Sequence, residues 1–239
     1  MSRRSRNPLR AALIALCALL GLASALALAV PASAAPQWPL HEGDTGPRVA
    51  ALQQRLAWLG YDIHPSNTRE QRLGTSTITA VNELRAKFGY LPASSVSQLS
   101  WDLARSTAGR IGSLPAPCMH AAAAICIDKR QRLLRYVANG TVLLTTDARF
   151  GQPGEETRNG NFHVQRRERT NWSSEYDTSM PYSLFFSGAQ AIHYSHYFAR
   201  DGYAGASHGC INLRDRRAAR WLFRHAPVGT PVIVYSRQA

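Results

Sequence analysis

The spacing of apolar residues changes period partway along this chain, and that change limits the folds open to it. Val49, Leu52, Leu56 and Leu59 step by threes and fours. From Ala124 onward apolar residues alternate with polar ones. A helical stripe repeats every 3.6 residues and a pleated strand every two. The chain is therefore expected to be a multidomain α and β protein. A small three-helix N-terminal module should precede a mainly-β domain with one late helix.

The helical boundaries follow from breakers and caps. Pro47 opens the first helix and Gly60 stands just past its end. Asp62 to Leu73 reads as a polar loop. Thr75 or Ser76 caps a second helix bearing Ile78, Val81, Leu84 and Phe88, closed by Gly89. Ser95 or Ser97 opens a third, with Leu99 and Leu103 turned inward and Gly109 after it. The helical domain spans 40–108, and residues 109–121, with Gly109, Gly112, Pro115 and Pro117, read as a linker. The second domain spans 122–236. Its strands are Ile125–Ile127, Leu133–Val137, Thr141–Thr145, Phe162–Val164, Ser183–Phe186, Ile192–Tyr194 and Thr230–Tyr235. Asn139-Gly140 marks a tight hairpin. Residues 214–225 read as the late helix.

Hydrophobic residues make up 45% of the 239, too many for a disordered chain, and charged residues only 18%, too few for a charge-laced coiled coil. The first 34 residues have the order of a secretory signal peptide. Arg3, Arg4, Arg6 and Arg10 come first, an apolar run from Ala11 to Val30 follows, and Pro31-Ala32-Ser33-Ala34 ends it. A retained anchor is the alternative, since such a run is long enough to cross a bilayer. Pro31 and the small residues favour cleavage, which leaves no stable membrane span. Losing those four arginines lowers the net charge from +13 to +9. A basic exported protein suits an anionic surface such as a cell wall, and export argues against nucleic acid. We expect a secreted, wall-associated protein.

Three cysteines remain beyond the signal segment: Cys118, Cys126 and Cys210. An odd count in an oxidising compartment leaves one thiol over. Cys118 and Cys126 stand eight apart and are expected to pair, leaving Cys210 free.

Cys210 sits in Ser207-His208-Gly209-Cys210-Ile211-Asn212, with Ile192-His193-Tyr194-Ser195 upstream. A thiol acts as a nucleophile through its thiolate, and a neighbouring imidazole can take the proton. His193 and His208 are both candidates. Gly209 permits a tight backbone whose N–H groups could face an oxyanion. His193, His196, His208 and Cys210 also offer zinc-ligand types, but their spacings fit no zinc pattern. The nucleophile is the better reading, with no metal.

This signature resembles that of L,D-transpeptidases of the YkuD type: a His, a spacer, then Ser/Thr-His-Gly-Cys, an apolar residue and Asn. Thr157-Arg158-Asn159-Gly160-Asn161-Phe162 and Met180-Pro181-Tyr182 resemble two further family segments, with Arg158 where a proline is common. The resemblance implies a β-sandwich-like catalytic domain. It implies Cys210 as nucleophile and His193 as acid/base, its ring oriented by the Tyr194 carbonyl. The N–H groups of His208, Gly209 and Cys210 would form the oxyanion hole. Ser207, Asn212 and Arg214 would shape the site or contact substrate. The reaction implied is 3→3 cross-linking of peptidoglycan. The thiol attacks a stem tetrapeptide at the bond before its terminal D-alanine, forming a thioester, with no cofactor. Hydrolysis of the same thioester, an L,D-carboxypeptidase activity, and a non-catalytic wall-binding protein are the alternatives. Carbapenem acylation of the thiol is a further implication.

The first half resembles the peptidoglycan-binding-domain-1 type. The resemblance rests on Leu40 to Val49, on Leu52-Gln53 and Leu56, and on Leu59-Gly60-Tyr61. It implies contact with glycan.

Overall fold

A computed structural model describes residues 38–108 and 114–236. The signal segment 1–34, residues 109–113 of the expected linker and the last three residues lie outside them. Among the described residues no helix is long and apolar enough to cross a membrane.

Four helices occupy the first part: α1 (Pro47–Trp58), α2 (Pro65–Arg69), α3 (Thr75–Lys87) and α4 (Gln98–Ala108). α1 starts on Pro47, whose missing N–H costs nothing in a first turn. Val49, Leu52 and Leu56 lie on its buried stripe. α2 is a short helix inside the expected polar loop, with Pro65 in its first turn and the His64 ring accepting from the Ser66 N–H. α4 shows its other face. Ser100, Ala104, Thr107 and Ala108 are buried and Leu99 is 41% exposed, so Leu99 does not point inward. Ser97 Oγ accepts from the Ser100 N–H and caps this helix. Leu40, Leu73, Val81, Leu84 and Val96 complete the core between these helices.

A fifth helix, α5 (Ala116–His120), lies within the expected linker. It buries Cys118, which is bonded to Cys126 at a Cα separation of 6.1 Å. The bond ties α5 to the first strand. Reducing it is expected to lower stability by about 2–3 kcal/mol, the loop-closure value for so short a ring. Urea unfolding with and without reductant measures this.

The second part is one nine-stranded sheet. Its strands in chain order are β1 (Ala123–Asp128), β2 (Leu133–Ala138), β3 (Thr141–Arg149), β4 (Gly160–His163), β5 (Arg166–Glu168), β8 (Ser183–Ser187), β9 (Gln190–Tyr194), β10 (Ile211–Leu213) and β11 (Pro231–Tyr235), with β6 (Trp172–Ser173) and β7 (Thr178–Ser179) forming a separate pair. The order is β4-β11-β1-β2-β3-β10-β9-β8-β5. β1 with β11 and β9 with β10 run parallel. The β2–β3 turn is Asn139-Gly140 with φ of 48° and 71°, the primed geometry those residues favour. β3 runs on to Arg149, beyond its expected end at Thr145.

Two stacked layers were expected. The sheet instead curls over a single core, bringing β4 near its one end against β8 near the other. Phe162 of β4 and Phe186 of β8 lie 5.5 Å apart in an edge contact. Ile125, Leu134, Leu184, Ile211 and Val232 fill the space between. Helix α7 (Arg216–His225) packs Ala219 and Leu222 onto this core. Asp215 caps it, accepting from the N–H groups of Arg217 and Ala218 at 2.7 and 3.1 Å. Arg214 therefore precedes the helix rather than opening it.

The helical part is pressed onto the sheet. Gly60 has φ 86°, and a Cβ there would stand 2.1 Å from the Thr145 carbonyl oxygen of β3. Leu133 of β2 joins the helical core.

Candidate active site

Parallel pairing of β9 and β10 builds the site. Their register sets Asn212 opposite His193, so the two side chains meet. Cys210 lies in the turn that enters β10. Gly209 before it has φ 103°, a conformation an L side chain adopts only with strain. A Cβ on Gly209 would also meet the Gln190 side chain at 2.6 Å, and one on Gly151 would stand 2.9 Å from Gly209 Cα. Two glycine backbones thus pass in direct contact beneath the thiol.

Hydrogen bonds lock this turn. Ser207 Oγ donates to the Cys210 carbonyl at 2.6 Å. Thr157 Oγ1 donates to the Gly209 carbonyl at 2.9 Å and accepts from the Gly151 N–H at 3.1 Å. Of the two roles open to Ser207, the structure shows the structural one. The Gln190 amide spans from the Arg158 N–H at 3.1 Å to the Glu156 carbonyl at 3.0 Å. Arg158, standing where a proline is common, donates to the Ser187 carbonyl at 2.9 Å.

Cys210, His193, Asn212 and Ser207 line one cavity of about 270 Å³ together with Met180 and Arg149. The Cys210 thiol lies 3.9 Å from the Ala189 carbonyl oxygen. Burial pushes the thiol up, opposed by a hydrogen bond from the Ala191 backbone. His193 Nδ1 lies 2.7 Å from the Tyr194 carbonyl, so the ring is held by the oxygen expected to hold it. Asn212 Nδ2 stands 3.0 Å from the other ring nitrogen, Nε2. His193 is pushed down to about 4 by burial, with the Arg149 charge adding to the effect and the Tyr194 carbonyl opposing it.

The resting pair is thus a thiol and a neutral imidazole, not a preformed thiolate–imidazolium. A stability consequence follows. The folded value near 4 lies below the ordinary 6.5, so between them the unfolded chain binds more protons. The His193 contribution is complete above pH 6.5 and is lost as the pH falls toward 4, about 3 kcal/mol in all. Urea midpoints across that range should show the slope, and a His193→Gln variant should lack it.

The other expected residues fall in different places. The His208 side chain is exposed at the rim, stacked on Tyr176 with ring centroids 4.1 Å apart and 3.9 Å from a Glu155 oxygen. His193 is therefore the buried imidazole of the pair and His208 is not. Arg214 does not line this cavity. It pairs with Asp147 and, at 3.1 Å, with Glu83 of α3, which corrects its expected place beside substrate. Tyr203 packs edge-on against Phe198, with the Arg132 guanidinium over its ring. Among the described residues no group of three or more His, Cys, Asp or Glu could hold a metal ion.

Arg149 was missed. It lies at the end of β3, 5% exposed, in a stretch without a motif. Its only sequence signal is a cation at the end of an apolar-patterned strand.

Fold and site together define a curled-sheet domain whose groove holds a half-buried cysteine and a buried histidine. Residues 122–234 match the family model of the YkuD L,D-transpeptidase catalytic domain. L,D-transpeptidase 1 of Mycobacterium tuberculosis is 36% identical over 110 residues. That match takes in 40% of this chain and 43% of the relative, so the chain spans under half of the relative's length. The crystal structure of an L,D-transpeptidase from Xylanimonas cellulosilytica is 28% identical with a TM-score of 0.54, covering 84% of this chain and 98% of that one. One from Stackebrandtia nassauensis shares the fold at 23% identity and a TM-score of 0.56, with the same coverage. Both alignments extend beyond residues 122–234 and so take in helical residues as well as the sheet.

Proposed function

We propose that the protein is an exported L,D-transpeptidase that forms 3→3 cross-links in peptidoglycan through a thioester on Cys210. The observation that carries this reading is one cavity holding the Cys210 thiol and the His193 imidazole, inside a domain that matches that family model. Sγ attacks the carbonyl before the terminal D-alanine of a stem tetrapeptide while its proton passes to His193. The proton leaves with the D-alanine amine as the carbon–nitrogen bond breaks. An amine of a second stem then attacks the thioester, and the thiol regains its proton.

Nε2 is the nitrogen that receives the proton, because Nδ1 is engaged by the Tyr194 carbonyl. The N–H groups of His208, Gly209 and Cys210 are assigned to the oxyanion. The backbone reversal at Gly209, directly before the thiol, supports that assignment. Carbapenems acylate the same sulfur in this reading. The signal segment delivers the protein to the wall. The helical part holds glycan or serves as a fixed support.

Purified residues 35–239 incubated with a disaccharide-tetrapeptide test the function by intact mass. A dimer lacking one D-alanine is the expected product. A tripeptide alone assigns hydrolysis of the thioester and a carboxypeptidase. Neither product, with no adduct on the protein, overturns the enzymatic reading.

A further inference from the structure

A line of hydrogen bonds runs from Arg149 to the buried histidine. Arg149 Nη2 donates to Asn212 Oδ1 at 3.2 Å, Asn212 Nδ2 stands 3.0 Å from His193 Nε2, and His193 Nδ1 stands 2.7 Å from the Tyr194 carbonyl. Arg149 is 5%, His193 5% and Asn212 4% exposed, so water does not compete for these groups.

The direction of the line is fixed at both ends. A guanidinium only donates and a carbonyl oxygen only accepts. Facing the guanidinium, the Asn212 amide must present its oxygen, which turns its NH₂ toward Nε2. Nε2 then has to accept, and the single ring proton sits on Nδ1, where the Tyr194 oxygen takes it. Every group is satisfied in one tautomer of the neutral ring. A second proton on His193 would set two donors against each other at Nε2.

Arg149 sits where it does at a cost. Among the described residues no carboxylate lies within ion-pair distance of it, and burial lowers its hold on its proton despite Asp201 and Tyr203 nearby. It also contacts the Gly202 carbonyl at 3.0 Å and the Phe198 ring, 5.0 Å away. A buried cation without a close carboxylate is expensive, and simple packing does not require one here.

We propose that Arg149 is a positioning residue for the reaction. Through Asn212 it fixes which ring nitrogen of His193 carries the proton, so that Nε2 stays unprotonated and can take the thiol proton once the Asn212 N–H gives way. This rests on the reading of Cys210 and His193 as the reacting pair. The same line holds the free enzyme in its thiol form, because charging His193 breaks the Asn212 contact. Besides Arg149 and Cys210, the charged and titratable groups lining the cavity with His193 are Asp201, Tyr176, Tyr197 and His208.

The test needs no peptide substrate. Ring nitrogens of 15N-histidine-labelled protein are followed by NMR from pH 3.5 to 8, and Cys210 alkylation by iodoacetamide is timed over the same range. In the wild type His193 should keep its proton on Nδ1 with Nε2 bare down to about pH 5. Arg149→Met should mix the two tautomers and move the titration up by about one pH unit, a tenfold change in proton affinity. The alkylation profile should move with it. Arg149→Lys, which keeps one donor and the charge, should restore most of the wild-type behaviour. An unchanged tautomer and midpoint in Arg149→Met overturns the proposal. Should that variant not fold, Asn212→Leu cuts the line at its centre, and an unchanged His193 signature there overturns it equally. Loss of cross-linking activity alone would count against the proposed reaction, not against this relay.

Discussion

A Cys210→Ala variant should fold normally, form no covalent adduct with a carbapenem, and lose cross-linking by on the order of 10⁴-fold or more. The sulfur is the acyl acceptor in the proposed chemistry, and among the described residues no other thiol lines the cavity. Folding should survive because the Cys210 backbone, not its side chain, makes the bonds that lock the turn. Its carbonyl accepts from Ser207. Cys118 and Cys126 are joined to each other, so Cys210 is the free thiol among the described residues. Any adduct in the unreduced protein therefore reports on this residue. Intact mass after carbapenem treatment and dimer yield from tetrapeptide are the two readouts. Retained dimer formation in Cys210→Ala would remove the thioester from the mechanism.

The second large effect lies away from the groove. Asp147, on β3, meets Lys87 of α3 and Arg214 at once, and Arg214 reaches Glu83. The Lys87 side chain has no exposure at all. Burial lowers its proton affinity while Asp147 opposes that. Asp147 and Glu83 hold the Arg214 guanidinium charged despite its burial. Asp147→Ala would strand one buried cation outright and leave the other a partly exposed partner. Removing one member of a buried ion pair costs about 3–5 kcal/mol, so a loss of that size in urea unfolding is expected. Amide exchange should show α3 loosening first. The triple variant Asp147→Ala/Lys87→Met/Arg214→Met should recover much of the loss, because apolar groups of like volume need no partner. A loss under about 1 kcal/mol for Asp147→Ala would mean that the network does not hold the helices to the sheet.

This junction bears on how the helical part works. A tethered wall-binding module needs freedom to move relative to its enzyme. Here Gly60 touches the Thr145 carbonyl, Arg132 Nη1 donates to the Lys87 carbonyl at 2.8 Å, and Leu133 enters the helical core. The helices are built into the support of β2 and β3, and β3 ends at Arg149. Weakening the junction should thus reach the groove through β3, and cross-linking in Asp147→Ala should fall by more than its folded fraction alone accounts for.

Much of this was readable along the chain, for reasons of locality. A change of period announces helix followed by strand because side-chain direction is set within a few residues. Gly60, Gly89 and Asn139-Gly140 mark turns because their backbones tolerate positive φ. Ser207 to Asn212 were legible because the turn that presents a thiol must be built from neighbours. Failures occurred where a choice depended on distant partners. Leu99 is apolar and reads as inward, but α1 and α3 cover the Ser100–Ala104 face instead. The resemblance implies that Arg214 shapes the site or contacts substrate, while its partner Glu83 stands 131 residues away in sequence.

Sequence by itself therefore determined the class of each half, the free thiol and the histidine that shares its cavity, and the pairing open to the remaining cysteines. Tertiary structure decided the curl of the sheet, the docking of the helices and the protonation state of the site. Curling depends on Phe162 meeting Phe186, which no local pattern encodes. Whether His193 rests neutral depends on its burial and on an arginine 44 positions earlier, since the free energy of a charge is set by everything around it in space.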